Sequence, residues 1–157
     1  MSASNIKIMN RNDSYGLNEA CIKRIVLNIL KLINKPQNTE LEVIFLDDES
    51  IRALNKRYKK EDRPTDVLSF KIERKEFGLR SFLGEIFISS DTAFENSKIF
   101  GTGFERELTL YIIHGILHLF GYDDENAEDR ARMSKRQTQI LDRLCETENF
   151  SKVSMRR

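Results

Sequence analysis

Asn5–Asn10 (NIKIMN) alternates apolar and polar side chains, and that period of two predicts a short strand. Between Asn18 and Ile33, Ala20, Cys21, Ile25, Leu27, Leu30 and Ile33 recur at mixed helical spacings. This stretch reads as an amphipathic helix ending before Pro36, because the residue preceding a proline is pushed out of the helical region. Glu40–Leu46 (ELEVIFL) is a second strand. Asp48 then offers a cap for a helix running to about Tyr58, with Ile51 and Leu54 facing inward. EDRPTD (Glu61–Asp66) interrupts the pattern, since Pro64 lacks a backbone donor.

Val67–Ile72 (VLSFKI) and Phe82–Ser89 (FLGEIFIS) read as the third and fourth strands, and the charged, Gly78-containing segment between them as a loop. Asp91–Phe100 is helical in pattern, and Gly101–Gly103 separates it from the most apolar helix, Phe104–Phe120. The last helix, Ala127–Cys145, places Met133, Ile140, Leu141 and Leu144 on its apolar side. Strands and helices alternate early and helices dominate late. The expectation is therefore α+β: one domain over residues 1–150, a small four-stranded mixed sheet packed with about five helices. Residues 151–157 (SKVSMRR) stand apart as a basic C-terminal tail.

Composition narrows the class. A chain of 157 residues fits one domain, and 32% charged with 39% apolar residues is a soluble, globular balance. No apolar run approaches the ~18 residues of a membrane-spanning helix, and MSASNIKIMNRND has no apolar signal core, so the expected compartment is a bacterial-style cytoplasm. Cys21 and Cys145 lie far apart without a CxxC partner and read as buried free thiols. Net charge is +1, which removes any strong overall attraction to nucleic acid. Local charge is less even: Lys56–Arg63 and Lys71–Arg80 lean basic, while Leu46–Ser50 and Asp123–Asp129 lean acidic.

Chemistry concentrates in HGILHLFGYDD, His114–Asp124, which holds both histidines of the chain. Four residues nearly complete a helical turn, so His114 and His118 project from one face, close enough to share a metal ion. Gly121 suits the left-handed position that ends a helix and turns the chain back, bringing a following carboxylate within reach. On spacing alone, Asp123 and Asp124 compete for that role, and the acidic run could equally be a solvated helix cap. Two imidazoles and one carboxylate would form a three-ligand site with an open position, suited to zinc and also to Mn, Fe(II), Co or Ni. In HExxH metalloproteases the general base follows the first histidine; here that residue is Gly115.

HGILHLFGYDD resembles the HGxLHLxGYDH signature of the YbeY family of bacterial rRNA-maturation endoribonucleases. RYKKEDRPTDVLSF (Arg57–Phe70) and LGEIFIS (Leu83–Ser89) are similar to two further family blocks, in the family's order and at roughly its separations. The resemblance implies a metal site on the long apolar helix and a cytoplasmic, metal-dependent, single-strand-directed RNase. It further implies action in 16S rRNA 3′-end maturation and ribosome quality control, with rRNA, the small ribosomal subunit and ribosomal proteins as partners.

Carried over position by position, His114 and His118 fall on the first two metal histidines. Asp124 falls on the third, where the family usually has histidine. Lys59 occupies the position of a functional arginine, and it is the residue expected to face the scissile phosphate in catalysis. A lysine offsets phosphate charge but lacks the bidentate fork of a guanidinium, so Arg57 and Arg63 are the flanking candidates for substrate binding. Glu85 replaces the family's usual aspartate, and Thr65, Asp66 and Ser69 are expected to shape the cleft or cap a turn. Two rival readings remain at this stage: a metal-dependent hydrolase of another class, and a non-catalytic ribosome-assembly factor with a structural metal site.

Overall fold

The computed structural model describes residues 4–34, 39–76 and 79–155. Along the chain run β1 (Asn5–Asn10), β2 (Gly16–Leu17), α1 (Glu19–Leu32), β3 (Thr39–Leu46), α2 (Asp48–Lys59), β4 (Val67–Glu76), β5 (Leu79–Ser89). Then follow α3 (Ser90–Phe100), α4 (Phe104–Leu119), α5 (Ala127–Thr147), a 3-10 turn (Phe150–Lys152) and β6 (Ser154–Met155). The expected α+β domain, with its four-stranded mixed sheet and five helices, is the one observed. The sheet runs β1-β3-β5-β4, with β1, β3 and β5 parallel and β4 antiparallel at the edge.

Alternation along the strands decides which helix covers which face. Leu41, Val43 and Phe45 of β3, with Ile86 and Ile88 of β5, bury against α1, α4 and α5. The intervening Ile44, Leu46 and Phe87 point the other way, toward Ile51 and Leu54 of α2. Helix α4 is so apolar because it lies within the larger core: Leu108, Ile112, Ile113 and Ile116 are fully buried. Its partner α5 is amphipathic, burying only Met133, Ile140, Leu141 and Leu144.

Helix starts are set by local polar caps. Asn18, Ser89 and Asn126 each accept a backbone N–H from the first turn of α1, α3 and α5. For α2 the cap is Asp47, not Asp48: Asp47 accepts from Ser50 N–H at 2.7 Å. Asp48 instead receives the hydroxyls of Ser89 (2.6 Å) and Thr92 (2.7 Å), tying α2 to α3.

Three further expectations need correction, and one feature was not foreseen. The charged segment after Ile72 is not a loop, because β4 continues to Glu76 and β5 begins at Leu79 as one hairpin; Gly78 lies outside the described residues. The segment set apart as a basic tail is part of the fold through Met155. Val153 is fully buried, and β6 pairs antiparallel with β2; Arg156 and Arg157 lie outside the described residues, as does Pro36. The pair β2–β6 was not expected at all. Cys21 is buried as expected, but Cys145 is exposed.

Candidate metal centre

Helix α4 carries His114 and His118 one turn apart on a strip of its surface that the core leaves open, each ring about a quarter exposed. The helix stops because Phe120 leaves helical geometry and Gly121 adopts φ +98°, a conformation that costs an L side chain roughly 1–2 kcal/mol. Tyr122 N–H then returns to the Leu117 carbonyl at 3.0 Å, and the Tyr122 ring packs against the main core. That anchors the turn and brings Asp124 back over the histidines.

The result is a tight group of three donors. His114 Nε2 and His118 Nε2 are 3.1 Å apart, and Asp124 Oδ2 lies 3.4 Å from His118 Nε2 and 3.9 Å from His114 Nε2. Tetrahedral bonds of 2.0–2.2 Å require donors about 3.4 Å apart, and these three spacings bracket that value. The triangle they form has a centre about 2.0 Å from every corner, the length of a zinc–nitrogen or zinc–oxygen bond. The residues present therefore fit a divalent ion. Asp123, the competing carboxylate, is turned away: its Oδ1 accepts the Asp124 N–H at 2.8 Å.

Burial pushes the His114 imidazole below its ordinary pKa, against the raising effect of its hydrogen bond to Gln137 Oε1 and with the neighbouring His118 adding to the fall. A neutral ring keeps its lone pair, the form a metal requires. The other ring nitrogen, His114 Nδ1, lies 2.5 Å from Gln137 Oε1 on α5. Gln137 escaped the sequence reading. It stands four residues after Met133 and three before Ile140, a polar side chain on the buried stripe of α5, and that was the available signal.

Gly115 has a packing reason. A Cβ there would lie 2.6 Å from Ile86 Cγ2 and 3.2 Å from both Ser69 Oγ and Val67 Cγ1. Here α4 rests directly on the sheet, and Ser69 donates its hydroxyl to the Gly115 carbonyl at 3.0 Å. A metalloprotease-type glutamate has no room at this position. The peptidase reading loses its base on steric grounds as well as on sequence.

The three donors open into a cleft of about 380 Å³ between the ends of α2 and α4, floored by the start of edge strand β4. Lys59, Glu61, Asp66, Ser69 and Lys71 line it. Lys59 makes no ion pair among the described residues, so its ammonium is available to the cleft. Arg57 and Arg63 do not line this cleft. Arg57 lies over the Tyr58 ring at 5.3 Å, and Arg63 pairs with Glu61 at 2.9 Å. Asp66 accepts the Val67 N–H at 2.8 Å and so shapes the start of β4, while Glu85 is half-buried outside the cleft. Among the described residues, no helix is long and apolar enough to cross a membrane.

The profile of the family described as "Endoribonuclease YbeY" matches residues 7–145. The chain is 39% identical over 150 residues to the Endoribonuclease YbeY of Caldicellulosiruptor saccharolyticus, covering 87% of this chain and 95% of the relative. Against the same protein of Thermoanaerobacter sp. identity is 36% over 154 residues, covering 89% and 97%. The solution structure of TM1509 from Thermotoga maritima superposes with a TM-score of 0.62 at 26% identity, covering 90% of this chain and 89% of that one.

Proposed function

The chain belongs to the YbeY family of endoribonucleases, and from that membership we propose a metal-dependent enzyme that cleaves single-stranded rRNA at a His114–His118–Asp124 centre. The observation that carries this reading is the convergence on one cleft of three donors of metal-ligand spacing and Lys59, which makes no ion pair among the described residues. Zinc is the first candidate ion, with Ni, Mn, Fe or Co as alternatives. When bound, the ion would supply Lewis acidity, polarising a phosphoryl oxygen and making hydroxide accessible near neutral pH.

The remaining work falls to the chain. His114 and His118 would present Nε2, with burial keeping the His114 ring below its ordinary pKa, and Asp124 would contribute the negative charge of the donor set. The Lys59 ammonium offsets the charge that builds on the scissile phosphate. It acts as a point charge, without the two-pronged geometry of a guanidinium. Because Gly115 cannot be replaced by a base, no protein carboxylate follows the first histidine to take the nucleophile's proton. In the cell, the substrate would be the 3′ end of 16S rRNA in the cytoplasm, met on the small ribosomal subunit through ribosomal proteins.

The test is cleavage of single-stranded rRNA fragments by purified, zinc-loaded protein. Turnover that is lost in His114→Ala and blocked by chelator supports the proposal. RNA binding without turnover in every divalent metal tried would favour the non-catalytic assembly factor instead.

A further inference from the structure

We propose that Gln137 is a positioning residue for the metal centre, holding His114 in the tautomer and orientation that direct Nε2 at the ion. The inference rests on the metal reading above and adds a residue from a different helix to it. Neutral imidazole carries one proton on two nitrogens, and only the unprotonated nitrogen can bind a metal. His114 Nε2 faces His118 Nε2 and Asp124 Oδ2, so an ion shared by the three atoms requires the proton on Nδ1. Gln137 Oε1 lies 2.5 Å from that atom. A carbonyl oxygen only accepts, so the contact is a hydrogen bond when Nδ1 is protonated and a repulsion between lone pairs when it is not.

The placement on α5 makes this a fixed constraint. Gln137 lies on the stripe whose neighbours Met133, Ile140 and Leu141 are buried in the main core, so the backbone at 137 is held against α4. Gln137 is itself half-buried, which strengthens its hydrogen bond relative to one in water. The two histidines differ in this respect: among the described residues His114 is gripped from α5, while the His118 ring meets only His114 and Asp124. A half-buried polar residue in line with an apolar stripe has no packing advantage over leucine or methionine. Its acceptor oxygen gives it one.

Two measurements on the full-length chain test this. The first is the imidazole nitrogen spectrum of His114 in metal-free protein, above the ordinary histidine pKa, which reports the tautomer without any ion. The second is zinc affinity by competition with a chelator. In the unmodified chain His114 should be held as the Nδ1–H form. Gln137→Met, matched in length and helix preference, should release it toward the Nε2–H form and weaken zinc binding by roughly 10–100-fold, as loss of outer-shell partners does. Gln137→Glu, which still accepts, should keep the tautomer and bind zinc at least as tightly as the unmodified chain. Circular dichroism on each variant separates loss of fold from loss of positioning.

An unchanged tautomer and zinc affinity in Gln137→Met would overturn the inference while leaving the metal site standing. So would a Gln137→Glu variant as weak as Gln137→Met. An unmodified chain that binds no zinc would overturn the metal reading and this inference with it.

Discussion

A carboxylate at position 124 changes what the two imidazoles can hold. Asp124 is shorter, harder and anionic compared with a third imidazole, so it lowers the net charge around an ion and favours harder metals. Its Oδ2 is nonetheless within 3.4 and 3.9 Å of the two Nε2 atoms, close enough to share an ion. Asp124→Ala should therefore cost more than the roughly 10–100-fold that losing an outer-shell partner costs, and abolish stoichiometric zinc. Asp124→His should keep or tighten it. Elemental analysis after dialysis checks both, and full occupancy in Asp124→Ala would remove Asp124 from the ligand set. Lys59 makes a separable claim. On the proposed role of offsetting charge on the phosphate, Lys59→Ala should lower kcat by more than it raises KM, with zinc content unchanged. Equal single-turnover rates for the two proteins would rule out that role.

Helices α4 and α5 show which parts of the site the sequence could reveal. The histidine pair, the Gly121 stop and the returning carboxylate are local: three short-range spacings along one segment, legible as such. Choosing Asp124 over Asp123 took more, since spacing allows both: the family resemblance pointed to Asp124, and the hydrogen bond from Asp124 N–H to Asp123 Oδ1 agrees with it. Gln137 arrives by tertiary docking of α5, and nothing near it in sequence names His114 as its partner. The β4–β5 hairpin was missed because KIERKEFGLR has too many charges for period-two reading, and β2–β6 because its two-residue strands come from opposite ends of the chain. The contact of α4 with the sheet at Gly115 gives a stability prediction. An added methyl meets Ile86 Cγ2, which is stiff because it branches at Cβ on a buried strand. Overpacking of about 1–3 kcal/mol should outweigh the ~1 kcal/mol that alanine gains over glycine in a helix. Gly115→Ala should thus lower the urea midpoint with an unchanged m-value. A second reading of α4 comes from Tyr111, whose pKa burial raises to about 12 although the Asn96 hydrogen bond opposes it. The unfolded chain releases that proton near 10.0, so the native state holds more protons between the two values. Its contribution to stability is intact below pH 10.0 and is lost as pH rises toward about 12. Tyrosinate absorbance should show a late component that Tyr111→Phe removes.

Charge at the scale of the whole molecule limits how this protein can hold RNA. Twenty-six basic against twenty-five acidic side chains leave a net charge of +1, so long-range steering of a polyanion is weak. The cleft repeats that balance: Lys59 and Lys71 face Glu61, Asp66 and Asp124. Arg63 pairs with the cleft-lining Glu61, Arg57 lies over the Tyr58 ring, and Arg130 donates to the Asp124 carbonyl at 3.3 Å. Each phosphate neutralised on a single strand contributes a slope of about −0.7 in log affinity against log salt. With two cleft lysines, the slope for a single-stranded oligoribonucleotide should be no steeper than about −2, and absolute affinity should be modest. Fluorescence anisotropy across a salt series measures it directly. A slope near −5 would mean that several phosphates are held outside the cleft, and Arg57→Ala and Arg63→Ala would then each flatten it by about one contact. Phosphate contacts carry no sequence information, so the shallow slope would leave the two cleft lysines unable to select one RNA site over another by themselves.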